Sequence, residues 1–209
     1  MVLRALLSLA APPLCWGCAG PARADDALCP TCRLRLCWLG PGCVQLDGIA
    51  AWAPVAYEGP ARALVQGLKF RGAAGLADTL AAQIVAGAPT ELFAGVALVP
   101  VPLHPSRRRR RGFNQAERLA VAIARRAGAA WSPCLERRGS AAAQVGRPRG
   151  ERLIALRNAI AVCREAPHSA VLVDDVITTG GTVAACAAAL REAGSDVVGA
   201  VAYARTLGR

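Results

Sequence analysis

Thirteen consecutive residues near the C-terminus, Ala170-Val-Leu-Val-Asp-Asp-Val-Ile-Thr-Thr-Gly-Gly-Thr182, constrain this chain more than any other feature. Ala170–Val173 reads as a buried strand that stops at two adjacent carboxylates. A Thr/Gly turn follows, and Gly180–Ala193 reads as a helix with Gly194 as its C-cap. A strand, loop and helix in this order belong to an open α/β sheet, whose ligands bind beyond the carboxyl ends of the strands. Gly180 and Gly181 permit the dihedrals by which the N–H groups of Thr178–Thr182 converge on an anion. The helix start adds unpaired donors and a favourable dipole, and Thr178, Thr179 and Thr182 add hydroxyls. Asp174 and Asp175 are then expected to accept from ribose hydroxyls, directly or through Mg²⁺ waters. Capping a helix needs one Asp or Thr, whereas residues 174–182 hold two acids, three threonines and two glycines. The segment therefore predicts a sugar-phosphate site. It is not a Walker loop, since Gly-Lys-Ser/Thr is absent.

Upstream, apolar runs and helical spacings alternate. Gly48–Tyr57 reads as a strand, Pro60–Lys69 and Gly75–Ala86 as helices, Val96–Val101 as a short strand closed by Pro102, and Asn114–Ala127 as an amphipathic helix. Val197–Tyr203 gives the last strand. Arg137–Glu151, Gly- and Arg-rich, reads as a mobile loop. This alternation implies a parallel sheet with right-handed crossovers. Hydrophobic residues make up 54% of the 209, enough to fill such a core with Ala, Val and Leu.

Val99–Ala120 (VPVPLHPSRRRRRGFNQAERLA), Leu68–Gly72 (LKFRG) and the thirteen residues above, together with an N-terminal run of cysteines, occur in the order of the ComF family, which this chain resembles over nearly its whole length. The thirteen residues themselves look like the PRPP-binding signature of type I phosphoribosyltransferases. The resemblance implies an α/β fold: a type I phosphoribosyltransferase-like parallel sheet flanked by helices, with a small N-terminal zinc-ribbon module. It implies a protein of DNA uptake and natural competence that binds PRPP or a nucleotide with Mg²⁺. Asp174 and Asp175 would be the catalytic pair and Thr178, Thr179, Gly180, Gly181 and Thr182 the phosphate cradle. Val101, Pro102, Arg107, Arg111 and Lys69 would lie on the pyrophosphate side. Arg107–Arg111 reads as a basic loop of planar donors. Arg108, Arg109, Arg110, Phe113, Asn114 and Gln115 are candidate contacts to single-stranded DNA, with Asn114 or its neighbour a candidate cap for the helix that follows and Phe113 a base-stacking ring or a staple. His104 is a further candidate for phosphate, or a solvated loop residue. In Gln144–Val162, Gln144 and Arg152 fit the family pattern, but Ala155 stands where an Asn is expected and Ile160 where Phe is.

The resemblance leaves two classes of function open. One is an active transferase that displaces pyrophosphate from PRPP towards an unidentified acceptor. The other is a binding module that senses PRPP or a nucleotide, or that contacts single-stranded DNA and the uptake machinery. The formal charge of +11 favours a polyanionic partner. Lys69 is the only lysine, however, and a surplus made otherwise of arginine also follows from a GC-rich coding sequence.

Residues 1–46 and 47–209 are expected to form an N-terminal helix with a Cys-rich module and the α/β domain, respectively. Six of the nine cysteines fall before residue 46. Cys15-x2-Cys18 and Cys29-x2-Cys32 each offer two thiolates to a tetrahedral Zn²⁺, which would supply folding energy that so small a segment lacks. Cys37 and Cys43 lack the partner needed for a second site, and Cys134, Cys163 and Cys186 read as core residues. No apolar stretch reaches the length of a membrane span, and a cytoplasmic location is expected.

Overall fold

The computed structural model describes residues 13–23, 26–70, 74–138 and 156–207. Its centre is a seven-stranded sheet. The strands are β1 (Val44–Leu46), β2 (Ile49–Trp52), β3 (Val55–Ala56), β4 (Ala97–Pro100), β5 (Ala130–Trp131), β8 (Ser169–Ile177) and β9 (Asp196–Arg205). A separate antiparallel pair joins β6 (Leu135–Arg137) to β7 (Ile160–Val162). The helices are α1 (Pro30–Leu34), α2 (Gly59–Phe70), α3 (Ala74–Gly87), α4 (Pro105–Arg111), α5 (Gln115–Ala127) and α6 (Gly181–Glu192).

The spatial order β1-β2-β9-β8-β4-β5 decides where a ligand can sit. All neighbours are parallel except β1 and β2. From β4 the chain steps outward to β5, then returns to β8 and runs the other way to β9. Connections therefore diverge between β4 and β8, the switch point at which open α/β sheets form a ligand crevice beyond the carboxyl ends of their strands. Val101 N–H donates to Val173 O at 2.9 Å, tying the loop after β4 to β8 at the foot of that crevice.

Period-2 alternation along β8 fills two cores. Val171 and Val173 join Leu64 and Leu68 of α2, Leu80 of α3 and Leu119 of α5 on one face. Ala170 and Leu172 join Val183, Cys186 and Leu190 of α6 on the other, with Leu135 and Ile160 of the small pair. Each such Leu or Val buried from water stabilises the fold by about 1.5–3 kcal/mol.

The elements differ from the sequence reading where backbone chemistry intervenes. The strand before the Thr/Gly loop does not stop at Val173 but carries the acids within it as far as Ile177, because β9 remains alongside to pair with it. The single strand expected over Gly48–Tyr57 is broken at Ala53-Pro54, where Pro54 has no N–H to give a ladder. The arginine run is not a loop but the helix α4, which ends at Gly112 with φ 78. β1 and β2 form a hairpin whose two turn residues, Asp47 and Gly48, both have positive φ (49 and 77), as a tight twisted turn requires. The main sheet thus includes residues on both sides of position 46. At the end of α6, Gly194 N–H donates to Arg191 O and Ser195 N–H to Leu190 O, a Schellman closure with Gly194 at φ 86.

Candidate functional site

The loop between β8 and α6 opens into the crevice. Gly180, the N-cap of α6, has φ 77, and no side chain caps the helix. The leading N–H groups of a helix have no partner within it, so an uncapped start leaves donors for a ligand. Thr178 and Thr179 are exposed, Gly181 is buried in the first turn, and Thr182 is half-buried. From the far side, Thr206 N–H donates to Ile177 O at 3.0 Å and its hydroxyl to Thr178 O at 3.3 Å, bracing the loop. Leu46 closes the other flank: a Cβ added to Gly180 would lie 3.0 Å from Leu46 Cβ. Gly180 therefore meets two requirements, a left-handed backbone and a close neighbour.

The two carboxylates stand at the base of this loop in unlike surroundings. Asp175 is 3% exposed, and its Oδ2 lies 2.7 Å from Lys69 Nζ at the end of α2. That contact is an ion pair lying outside hydrogen-bond angles, so Oδ2 retains accepting capacity. Asp174 accepts from the Asp175 N–H at 2.8 Å. Asp174 keeps part of its surface open, but the atoms crowded around it push its carboxyl well above the usual range. The charge and side chain of Asp175 add to that push, while the Asp175 backbone N–H and Lys69 oppose it. Lys69, expected beside pyrophosphate, is thus found against Asp175.

Helical spacing divides the five arginines of α4. Arg107 and Arg111, one turn apart, act electrostatically on each other, and Asp175 acts on Arg111. Arg111 donates to Gln115 Oε1 at 2.9 Å and lies over the Phe70 ring at 4.9 Å. Burial lowers its pKa, Asp175 opposes that shift, and Arg107 and Arg110 add to it. Its Nε is buried and has no hydrogen-bond partner among the described residues. Arg108 turns to Glu117 at 3.5 Å, and Arg109 and Arg110 are exposed. His104 caps α4, its ring nitrogen accepting from Ser106 N–H at 3.2 Å.

Asn114 and Gln115, expected among outward nucleic-acid contacts, are each 5% exposed and engaged inside the protein. Asn114 Oδ1 accepts from Ala116 N–H at 3.1 Å, capping α5, while its Nδ2 donates to Val101 O at 3.0 Å. One side chain thereby fixes both the start of α5 and the Val101-Pro102 loop. Phe113 is half-buried beneath Arg118, whose guanidinium carbon lies 3.7 Å from the ring centroid. The pair lines a groove of about 470 Å³ between α3 and α5. A second recess of about 440 Å³, with Pro102, Trp131 and Arg137 in its walls, lies between the loop after β4 and the β6–β7 pair. Arg71, Gln144, Arg152 and Ala155 lie outside the described residues.

At the other end of the chain, Cys15, Cys18, Cys29 and Cys32 bring their sulfurs within 4.8 Å of one another. Tetrahedral Zn–S bonds of about 2.3 Å imply S···S edges of about 3.8 Å, and Cys18 and Cys29 lie 3.8 Å apart. Gly17 and Cys29 N–H groups point at Cys15 Sγ (3.3 and 3.2 Å), and Cys32 N–H at Cys29 Sγ (3.5 Å), as donors to thiolates would. Burial raises the Cys15 thiol, but the N–H groups of Cys29, Cys18 and Gly17, helped by the Cys18 thiol, outweigh it and bring it down to about 6. Burial and the neighbouring sulfurs push Cys32 up to about 12. The donor set and its spacing fit a tetrahedral metal ion. Cys37 and Cys43 are not part of this cluster. Cys134 and Cys186 are core residues, as expected, but Cys163 is exposed at the end of β7.

Two contacts were not legible as sites: Leu46 against Gly180, and Trp16, between the first two cysteines, against Gly67 of α2. A glycine within an otherwise strong helical pattern was the available signal for the second.

An open, mostly parallel α/β sheet with its crevice over an uncapped Thr/Gly loop, joined to a four-cysteine knuckle, defines the class of protein. No protein-family model matches the chain. Among curated proteins it is similar to DNA utilization protein YhgH of Escherichia coli O157:H7, 31% identical over 233 aligned residues, covering 95% of this chain and 100% of the relative. The protein of the same name in Salmonella typhimurium is 34% identical over 208 residues, covering 93% and 91%. Competence protein F of Haemophilus influenzae is 29% identical over 215 residues, with the same coverage. The chain belongs to the ComF family. No helix among the described residues is long and apolar enough to cross a membrane.

Proposed function

We propose that the crevice binds PRPP or a nucleotide 5-phosphate together with Mg²⁺, in a protein that acts in DNA uptake or processing. The observation that carries this reading is the uncapped α6 start, with Gly180 at φ 77, set at the switch point beside Asp174 and Asp175. Backbone N–H groups and threonine hydroxyls of residues 178–182 hold the 5-phosphate. The two acids take the ribose hydroxyls. Mg²⁺ supplies charge neutralisation at a pyrophosphate group. Lys69 holds Asp175 in place, and Arg107 and Arg111 face the pyrophosphate from α4. The names of the relatives, DNA utilization protein and competence protein, supply the cellular setting. Zn²⁺ occupies the cysteine cluster as a structural ion.

Where the protein is catalytic, the reaction is displacement of pyrophosphate at C1 of the ribose. The crevice contributes positioning and charge stabilisation rather than a protein nucleophile. Pyrophosphate release from PRPP and Mg²⁺, across a panel of bases and nucleic acids, separates transferase from binding module. Release with one acceptor class assigns the enzyme; tight PRPP binding without release assigns the module.

A second reading, contact with single-stranded DNA, is supported by exposed Arg108–Arg110 and by the Phe113–Arg118 groove. Replacing these three arginines with Ala is expected to flatten the salt dependence of DNA affinity by about 2 in log–log slope. An unchanged slope removes them from the interface.

A further inference from the structure

Gly67 is an unexpected residue for the last turn of α2. Glycine in a helix costs about 1 kcal/mol relative to alanine, and the φ of Gly67 is not positive, so no turn requires it. What requires it is Trp16. A methyl at position 67 would lie 2.6 Å from Trp16 Cε3, 2.7 Å from Cζ3 and 2.8 Å from Leu76 Cδ1. The indole belongs to the cysteine knuckle, between Cys15 and Cys18, and the backbone N–H of Trp16 donates to Ala27 O at 3.0 Å. Two residues beyond Gly67 stands Lys69, on Asp175, and next to it Phe70, beneath Arg111. Last turns of helices fray unless something packs on them. Leu68 packs one face of this turn into the core, and the cysteine knuckle supplies the packing at Gly67.

We infer that Trp16 is a positioning residue for the sugar-phosphate crevice: seated on Gly67, it holds the last turn of α2, and so couples ligand binding there to metal in the cysteine cluster. The inference rests on the PRPP reading for its ligand and on the metal reading for its trigger, but its mechanical core does not. With the metal removed, the knuckle has no core of its own to hold Trp16. The end of α2 loosens, Lys69 leaves Asp175, and Arg111 loses the ring beneath it. Linkage requires the reverse as well: ligand in the crevice tightens binding of the metal.

Lys69 is the chain's only lysine, so an acylating amine reagent followed by peptide mass spectrometry reads it without interference from other side-chain amines. In the full-length zinc-loaded protein, Trp16→Ala is expected to raise Lys69 acylation roughly fivefold to tenfold through local opening, and Trp16→Phe to restore most of the protection. Ile123→Val, in the core away from this contact, lowers overall stability and is expected to leave Lys69 protection unchanged. Chelation of the wild type reproduces the Trp16→Ala rate. Mg²⁺·PRPP raises zinc affinity, measured by competition with a chelator, several-fold in the wild type but not in Trp16→Ala. Lys69 protection that is the same in wild type, Trp16→Ala and chelated protein overturns the inference. So does equal loss of protection in Ile123→Val, which would make the effect one of general stability. Absence of PRPP binding by the wild type, with the labelling pattern intact, overturns the ligand assignment and leaves the coupling standing.

Discussion

The phosphate loop and the cysteine knuckle are both short segments with recognisable residues, yet they work in opposite ways. The loop is self-sufficient in sequence: strand, acids, threonines and helix start are contiguous, and its geometry follows from local backbone chemistry. The knuckle gathers its four sulfurs from two separated pairs, and it meets the rest of the molecule through buried residues such as Leu28 and through a tryptophan pressed on a glycine fifty-one positions later. Contiguous chemistry declares a site, whereas chemistry that acts by contact across the chain declares only its own ligands.

Chelation should separate the two regions most sharply. Structural zinc in small modules is bound with about 10–16 kcal/mol of apparent free energy, so its removal is expected to unfold the knuckle while the sheet keeps its secondary structure. Metal analysis should find about one zinc per chain, and circular dichroism with and without chelator reads the rest. A protein purified metal-free with a protected Lys69 would erase the distinction between the regions.

The loop should be disabled without unfolding anything. Asp174→Asn with Asp175→Asn removes two charge-assisted acceptors, each worth about 1.5–3 kcal/mol, so Mg²⁺·PRPP affinity should fall at least about 100-fold. Calorimetry checks this, and an undiminished affinity would take the acids out of the site.

Gly180→Ala probes a place where the loop depends on a distant neighbour. A left-handed backbone costs a non-glycine residue about 1–2 kcal/mol, and Leu46 must also yield. The melting temperature should drop by roughly 3–6 °C. Leu46→Ala in the same chain should recover the steric part and leave the backbone part. Full recovery would show that the backbone at 180 carries no strain.

The smallest effect concerns Asp174 alone. Burial, reinforced by Asp175, raises its folded-state pKa. The unfolded chain therefore gives up that proton more easily, and stability is full below about pH 4, the ordinary Asp value, and is lost as pH rises through the folded value. Asp174→Asn should accordingly melt higher than the wild type by a few degrees at pH 8, with the difference vanishing near pH 4. A variant that melts lower at pH 8 would mean that the carboxylate is held by favourable contacts instead.

Most of the α/β architecture was legible because its signals are local. The apolar runs of β4, β8 and β9, the cap at Asn114 and the glycine closing α6 each act within a few residues. The arginine run was misread as a loop because its composition hides the cap: His104 with Pro105 starts α4, and Gly112 ends it. Once helical, five adjacent arginines face different directions: Arg111 is half-buried over Phe70, and Arg108 turns to Glu117. Asn114 looked like a surface contact because Asn usually is one, yet its two bonds are spent within the fold. The Lys69–Asp175 pair could not be read at all, since 106 positions separate partners that only the β2-β9-β8 order brings together.

A crystal structure of the protein grown with Mg²⁺ and PRPP tests the central claim directly. The account predicts the 5-phosphate on the N–H groups of residues 178–182 at the start of α6, with ribose hydroxyls on Asp174 and Asp175. Density for the ligand on the arginines of α4 or in the α3–α5 groove, with the loop at Gly180 bare, would contradict it.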